Sequence, residues 1–257
     1  MTDLTARLAA LRTTAPTHLA GTVLVGVGLA DRYATRPSAL GPVFVAFTAR
    51  GVSRVDLAED PGRFEAAYRA RFGREVVPAD GLPPRLAAAV DRALAEGRTR
   101  GVPVDLAGLS EFQAAVLHRA AEIPAGEVRP YGWVAREIGR PGSDRAVGNA
   151  LAANPVPLVV PCHRVVRADG RFGRYSLGSD ANKRLLLLAE GLAVEEYESL
   201  AAGGVRYLGS DSTGIYCHPT CRHARRITTG HRVEFRDAAA AARAGFRPCR
   251  DCRPVAA

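Results

Sequence analysis

The pattern of apolar and polar positions divides the 257 residues into three stretches. In the first, Leu4, Leu8 and Leu11 recur at helical spacing between Asp3, Arg7 and Arg12, which predicts an amphipathic helix rather than a cleaved leader. The apolar run from Leu19 to Ala30 is broken by glycines and falls short of the roughly 20 residues a membrane-spanning helix needs. From Gly41 to Asp56, apolar and polar residues alternate on either side of Ala49, Arg50 and Gly51, which predicts a β-hairpin with one buried face. Helices are expected from Arg63 to Phe72 and from Arg85 to Ala95, with a short strand from Val102 to Leu106. These hundred residues read as α/β and carry no chemical constellation.

From Ser110 the pattern turns helical. Ser110 is placed to cap a helix running to Ile123, with Phe112, Val116 and Ala120 on its buried face. After Gly126 and Pro130 come a helix from Tyr131 to Ile138, a turn from Gly139 to Gly142 and a second helix from Ser143 to Ala152. That is a helix-turn-helix candidate, with ordinary helix packing as the alternative on spacing alone. The run NPVPLVVPCHRVV, Asn154 to Val166, predicts a short buried strand that delivers Cys162 to a cleft. A buried cysteine is more often a small hydrophobe than a nucleophile. Successive strand residues point to opposite faces, so His163 would reach Cys162 through a bridging water. A further helix is expected from Ala181 to Glu190.

Charge and cysteine spacing single out the third stretch. Lys plus Arg number 35 against 26 Asp plus Glu, a formal charge of +9, and Lys183 is the only lysine. An anionic partner such as nucleic acid and a generally arginine-rich composition both remain open. From Gly203 to Ala257 there are ten arginines and four acids, so most of the excess is concentrated here. Five cysteines are too few for a disulfide scaffold and odd in number, which favours metal binding or a reactive thiol. Four of them form Cys217-x3-Cys221 and Cys249-x2-Cys252, the spacing of a tetrahedral zinc site, with His218, His223 and His231 leaving a mixed ligand set open.

The run PCHRVV, preceded by NPVP and followed by GRFGRYSLG and a helix ending AEG, resembles the O6-alkylguanine-DNA alkyltransferase family over roughly residues 41–191. The ordered set Tyr131, Arg145, Asn154, Cys162, His163, Tyr175, Ser176 and Glu190 carries the resemblance. It implies a mixed α/β fold: a ribonuclease-H-like portion over 1–105, then a DNA-binding and catalytic portion with the helix-turn-helix over 106–200. It also implies irreversible, stoichiometric repair of double-stranded DNA. An alkyl group would pass from O6-alkylguanine, with O4-alkylthymine as a further candidate, to Cys162 after the base is flipped out. In that scheme His163 is the base acting through water, and Glu190 fixes the imidazole and raises the thiolate fraction above that of a free cysteine, whose pKa is about 8.5. Asn154 braces the reactive turn, Tyr131 protonates the departing guanine, and Tyr175 and Ser176 contact the base. Arg145 fills the vacated stack, and Ala146, Gly148 and Ala150 let its helix approach the minor groove closely. No cofactor is implied for this step.

TGIYCHPTC and GFRPCRDCRP resemble the zinc-binding methyl-acceptor domain of Ada, over 203–257. This implies one zinc ion on Cys217, Cys221, Cys249 and Cys252, with Cys217 also a candidate acceptor of methyl from methylphosphotriesters. Arg222, Arg225, Arg226, Arg247 and Arg250 would then contact phosphates. His218 stands where arginine is common, and no further helix-turn-helix follows before Ala257, so a transcriptional switch is not expected. A structural zinc clip that only adds basic DNA-binding surface is the alternative for this module. For the whole chain the competing classes are a protein that binds alkylated DNA without transfer, and a cysteine hydrolase using Cys162, His163 and Glu190. The intact Cys162 argues against the first and the lack of an obvious oxyanion site against the second. The expected setting is a cytoplasmic monomer with no membrane partner.

Overall fold

A four-stranded sheet organises the N-terminal portion of the computed structural model, which describes residues 19–254. The helix expected around Leu4, Leu8 and Leu11 lies outside the described residues. Helix α1 (Leu19–Gly26) leads into strands β1 (Ala30–Arg36), β2 (Val43–Thr48) and β3 (Gly51–Leu57), and β2 and β3 form the hairpin expected from the alternating pattern. The sheet order is β3-β2-β1-β4, with β4 (Glu75–Pro78) parallel to β1 and the other pairs antiparallel. Helix α2 (Pro61–Phe72) starts where Asp60 Oδ1 accepts the amide of Arg63 at 3.1 Å and ends at Gly73 with φ 66°. Helix α3 spans Pro84–Glu96.

No strand forms at 102–106. Val104 makes a single bridge to Val52, because Gly101 takes φ 83° and Pro103 has no amide to donate. Pro103 instead packs so close to Gly51 that a Cβ there would sit 2.4 Å from the Pro103 carbonyl carbon.

Helix α4 (Glu111–Ala121) opens with a capping box between Ser110 and Gln113, and its Val116, Leu117 and Ala120 are buried. Two short helices follow, α5 (Tyr131–Glu137) and α6 (Asp144–Ala152), joined by the turn 138–143, so the helix-turn-helix is present. Strands β5 (Arg129–Pro130) and β6 (Val165–Val166) pair in parallel just ahead of α5 and just after the Cys162 turn. Helices α7 (Asp180–Ala189) and α8 (Val194–Ala202) complete this portion.

The last portion is a small sheet of order β10-β8-β7-β9, built from β7 (Tyr207–Ser210), β8 (Ile215–Cys217), β9 (Arg232–Phe235) and β10 (Arg247–Pro248), with helix α9 (Ala238–Arg243) against it. Among the described residues no helix is long and apolar enough to cross a membrane.

Candidate thiol site and metal centre

The segment carrying Cys162 is not a strand. Pro155, Pro157 and Pro161 remove amide donors, Leu158 takes φ 70°, and the chain closes into a 3-10 turn over Cys162–Arg164. Asn154 holds this shape from inside: its Nδ2 donates to Val160 O at 3.1 Å, and its Oδ1 accepts from Val156 N at 3.0 Å. The same Nδ2 lies 3.4 Å from Cys162 Sγ.

His163 is 2% exposed and its Nε2 lies 2.8 Å from Glu190 Oε1. Its Nδ1 is buried with no hydrogen-bond partner among the described residues. Burial lowers the imidazole pKa against the opposing pull of Glu190, so the ring is neutral and free to accept a proton. Burial acts to raise Glu190, but the hydrogen bond to His163 and the hydrogen bonds and charge of Arg164 outweigh it and hold the carboxyl at about 2.

Two basic residues that the pattern of the sequence did not mark complete this centre. Arg164, 1% exposed, donates to Glu190 through Nε and Nη2, to Ile123 O at 2.5 Å and to Gly97 O at 2.5 Å. Lys183, also 1% exposed, donates to Val165 O at 2.6 Å, and burial brings its ammonium down to about 8. The chain's only lysine, two positions ahead of the Leu185–Leu188 run of α7, was the available signal.

The Cys162 thiol is 6% exposed, and burial raises its pKa, with Asn154 and the Lys183 charge pulling the other way. The expectation of an enlarged thiolate fraction in the free protein is therefore corrected. Desolvation of the anion outweighs its few partners, so ionisation belongs to the reaction step.

Tyr131, the first residue of α5, is half-buried, and burial raises its hydroxyl pKa. Tyr175 stands edge-on to His163, with ring centroids 6.2 Å apart, and its buried hydroxyl has no partner among the described residues. Ser176, Arg145 and Ala146 are exposed and Gly148 is half-buried. Ala150 is 4% exposed and packs into the core rather than facing outward, since it shares the inner face of α6 with Val147 and Leu151. An open groove of about 610 Å³ beside Tyr131 is lined by Arg167, Arg171, Arg174 and Arg184.

The four remaining sulfurs, those of Cys217, Cys221, Cys249 and Cys252, all lie within 4.8 Å of one another and are buried. That spacing suits one tetrahedral ion with metal–sulfur bonds of roughly 2.3 Å. Hydrogen bonds among the thiols push Cys217 up and Cys221 down, the mark of donors too crowded to ionise together without a cation. The amide of His218 points at Cys252 Sγ at 3.4 Å. Among the described residues no histidine joins the cluster: His223 and His231 pair with Asp251 and Asp211 at the surface, and His218 packs against Tyr207. Arg222, Arg225, Arg226, Arg247 and Arg250 are all exposed.

A buried cysteine with an imidazole–carboxylate pair behind it, set on a helix-turn-helix scaffold and joined to a four-sulfur knuckle, defines a thiol group-transfer protein built for DNA. The comparisons give that class its family. Residues 111–192 match the family described as 6-O-methylguanine DNA methyltransferase, DNA binding domain, and residues 194–255 match the metal binding domain of Ada. A methylated-DNA–protein-cysteine methyltransferase of Methanosarcina acetivorans is 35% identical over 161 residues, 61% of this chain and 96% of that protein. One from Mycolicibacterium paratuberculosis is 48% identical over 87 residues, which span 34% of this chain and 52% of that relative. The bifunctional transcriptional activator/DNA repair enzyme Ada of Escherichia coli is 34% identical over 163 residues, 63% of this chain and 46% of that one. Among solved structures, Mycobacterium tuberculosis OGT in complex with DNA matches with a TM-score of 0.51 at 31% identity, over 65% of this chain and 98% of that one. The chain belongs to the methylated-DNA–protein-cysteine methyltransferase family, and it carries an Ada-type domain whose four cysteines fit one zinc ion.

Proposed function

We propose that this chain repairs duplex DNA by taking an alkyl group from O6-alkylguanine onto Cys162, once per molecule. The observation that carries this reading is the Cys162 turn itself: a buried thiol braced by Asn154, with His163 Nδ1 left unpartnered while Nε2 is tied to Glu190. A neutral imidazole so oriented takes the thiol proton, through a water, as the sulfur attacks. The sulfur–carbon bond forms, the carbon–O6 bond breaks, and the electron pair leaves on the guanine, which Tyr131 protonates. Glu190 stabilises the imidazolium that results. The product is a thioether, which does not hydrolyse, so there is no turnover.

The target atom lies inside a base stack, and rotating the nucleotide out costs a few kcal/mol. Arg145 would occupy the gap, with Ala146 beside it keeping the backbone close; its exposure at the start of α6 supports this. Tyr175 and Ser176 belong to the loop that would meet the flipped base. The same reading makes the chain a cytoplasmic monomer divided at about residues 105 and 200.

For the zinc module, burial favours the structural reading. Cys217 is 2% exposed, and Thr220 on the same loop bonds to Val128 of the alkyltransferase portion, so in this arrangement Cys217 is a zinc ligand held away from phosphates. Two DNA substrates test both statements by intact mass and peptide mapping. A duplex with O6-methylguanine is expected to add one methyl to Cys162, and Cys162→Ala to add none; a label elsewhere in the wild type sinks the assignment. DNA bearing only methylphosphotriesters is expected to leave Cys217 unlabelled, and a methyl found there would make it a second acceptor.

A further inference from the structure

The zinc module is docked on the segment that carries Tyr131. Thr220 Oγ1, between Cys217 and Cys221, accepts the amide of Val128 at 2.9 Å and faces Val128 O at 3.3 Å. The amide of Arg222 donates to Glu127 Oε1 at 3.0 Å, and Glu127 is buried in an ion pair with Arg129. From the second cysteine pair, Cys252 O accepts the indole N–H of Trp133 at 2.9 Å, and Arg253 O accepts from Arg136 at 2.6 Å. The guanidinium of Arg253 reaches Glu137 at 2.7 Å and covers the Trp133 ring at 5.8 Å, and Arg129 lies at the same distance from that ring. Both cysteine loops therefore grip residues 127–137, and the four sulfurs join the two loops to each other.

This grip matters because of what it holds. Helix α5 has seven residues and no side-chain cap at its N-terminus, so it has little stability of its own. Its first residue is Tyr131, which packs against the core that contains Cys162, and two residues on stands Trp133, 4% exposed and tied to a zinc ligand's backbone. The module has an aromatic core of Tyr207, Tyr216 and Phe235, but the cluster around the sulfurs buries only Leu208 and Ala224 besides the cysteines, so with no metal the two cysteine loops have little to keep them in register.

We propose that the zinc module is a positioning element for the transfer at Cys162: through Trp133 and Thr220 it fixes the segment that sets the Tyr131 hydroxyl. The proposal rests on Tyr131 being the proton donor of the preceding section. Trp133 is the only tryptophan in the chain, so its emission reports the docking directly.

The experiment uses the full zinc-loaded chain, its chelated form, and the variants Tyr131→Phe, Trp133→Phe and Thr220→Val. It reads Trp133 emission, the affinity for duplex containing O6-methylguanine, and the single-turnover transfer rate at saturating duplex. Removing zinc is expected to shift the emission of Trp133 to the red and to lower the saturated rate about tenfold, the scale expected when a reacting group is displaced by a fraction of an ångström. In Tyr131→Phe the red shift should persist while the further rate loss on chelation disappears, since a group already removed cannot be mispositioned. Trp133→Phe and Thr220→Val should each reproduce part of the rate loss with zinc still bound. A saturated rate unchanged by chelation, or an equal loss in Tyr131→Phe, overturns the positioning role. A zinc-loaded Tyr131→Phe protein that reacts at the wild-type rate overturns the proton-donor reading instead, and the positioning proposal with it.

Discussion

The chain holds sulfur in two settings that differ in what balances the charge of a thiolate. Around Cys162 there are the side-chain amide of Asn154, the backbone amides of Cys162 and His163, and one ammonium, from Lys183, and burial outweighs them, so the resting thiol is protonated. Around the other four sulfurs there are chiefly more sulfurs, and only a divalent cation lets them ionise together. The first arrangement keeps a nucleophile neutral until a base removes its proton during attack. The second makes ionisation permanent and spends it on holding two loops together. Cysteine by itself thus says little about reactivity, and the neighbouring charges decide it.

Exchanging one residue in each setting gives the largest contrast. Cys162→Ser should abolish alkyl transfer while zinc content and melting temperature stay near wild type. Cys249→Ser should cost the bound zinc, measured by metal analysis, and leave slower but measurable methylation of Cys162. Loss of transfer in both would mean that the two sulfur sites form one catalytic unit.

Glu190→Gln comes next. The imidazole would lose the charge that stabilises its protonated form, and the single-turnover rate at neutral pH should fall on the order of 100-fold. The same carboxylate also ties stability to pH. Its folded pKa is depressed from 4.5 to about 2, so its contribution is present above about 4.5 and is lost as pH falls toward 2. A shift of that size corresponds to on the order of 3 kcal/mol. Urea denaturation of wild type and Glu190→Gln between pH 2 and 6 should give curves that converge as the pH drops; a constant offset would remove Glu190 from the linkage.

Much of this was legible in the chain because local signals and tertiary packing agree. The helix capped by Ser110, the hairpin around Gly51 and the glycine-punctuated pair α5 and α6 formed where periodicity and turn chemistry put them. Strand β1, ADRYATR, was missed because its buried residues include Asp31 and do not alternate with exposed ones. Helix α8 was not marked by the sequence pattern, since its buried Val194 and Tyr197 are spaced among glutamates. The Cys162 segment misled in the other direction: its apolar run is buried as a strand would be, yet its prolines leave the shape to the Asn154 side chain. In the site, Cys162, His163 and Glu190 carried a motif, whereas Arg164 and Lys183 are held by carbonyls of Gly97, Ile123 and Val165, contacts that only the folded chain reveals.

Lys183 sharpens the comparison through its own charge. Replacing it with Met removes the one ammonium that favours the Cys162 thiolate, and transfer should slow about tenfold. Stability should change little at neutral pH, by about 1 kcal/mol, because a buried charge and one hydrogen bond leave together. The pH dependence has the same sign as that of Glu190, since both pKa values are depressed on folding, but it falls in an alkaline window. A folded pKa of about 8 against 10.5 means the folded chain binds fewer protons between those values, so stability rises with pH there. Lys183→Met should flatten that rise in thermal melts from pH 7 to 10, and an unchanged slope would show that Lys183 does not titrate in that window.

The smallest effect expected separates backbone strain from damage to the site. Gly73 and Gly97 both end helices in the left-handed region, with φ 66° and 65°. A Cβ on Gly73 would meet nothing within 4 Å, whereas one on Gly97 would lie 2.8 Å from both Arg164 Nη2 and Glu190 Oε1. Gly73→Ala should therefore cost only the strain of an L-residue in that region, about 1 kcal/mol, with the transfer rate unchanged. Gly97→Ala carries the same strain and also pushes on the ion pair that aligns His163, so its melting temperature should fall further and its saturated rate should drop a fewfold. Equal stabilities with equal rates for the two variants would mean that Glu190 and Arg164 yield to the added methyl group, and that the carboxylate behind His163 is set by Arg164 and not by the helix end against which it rests.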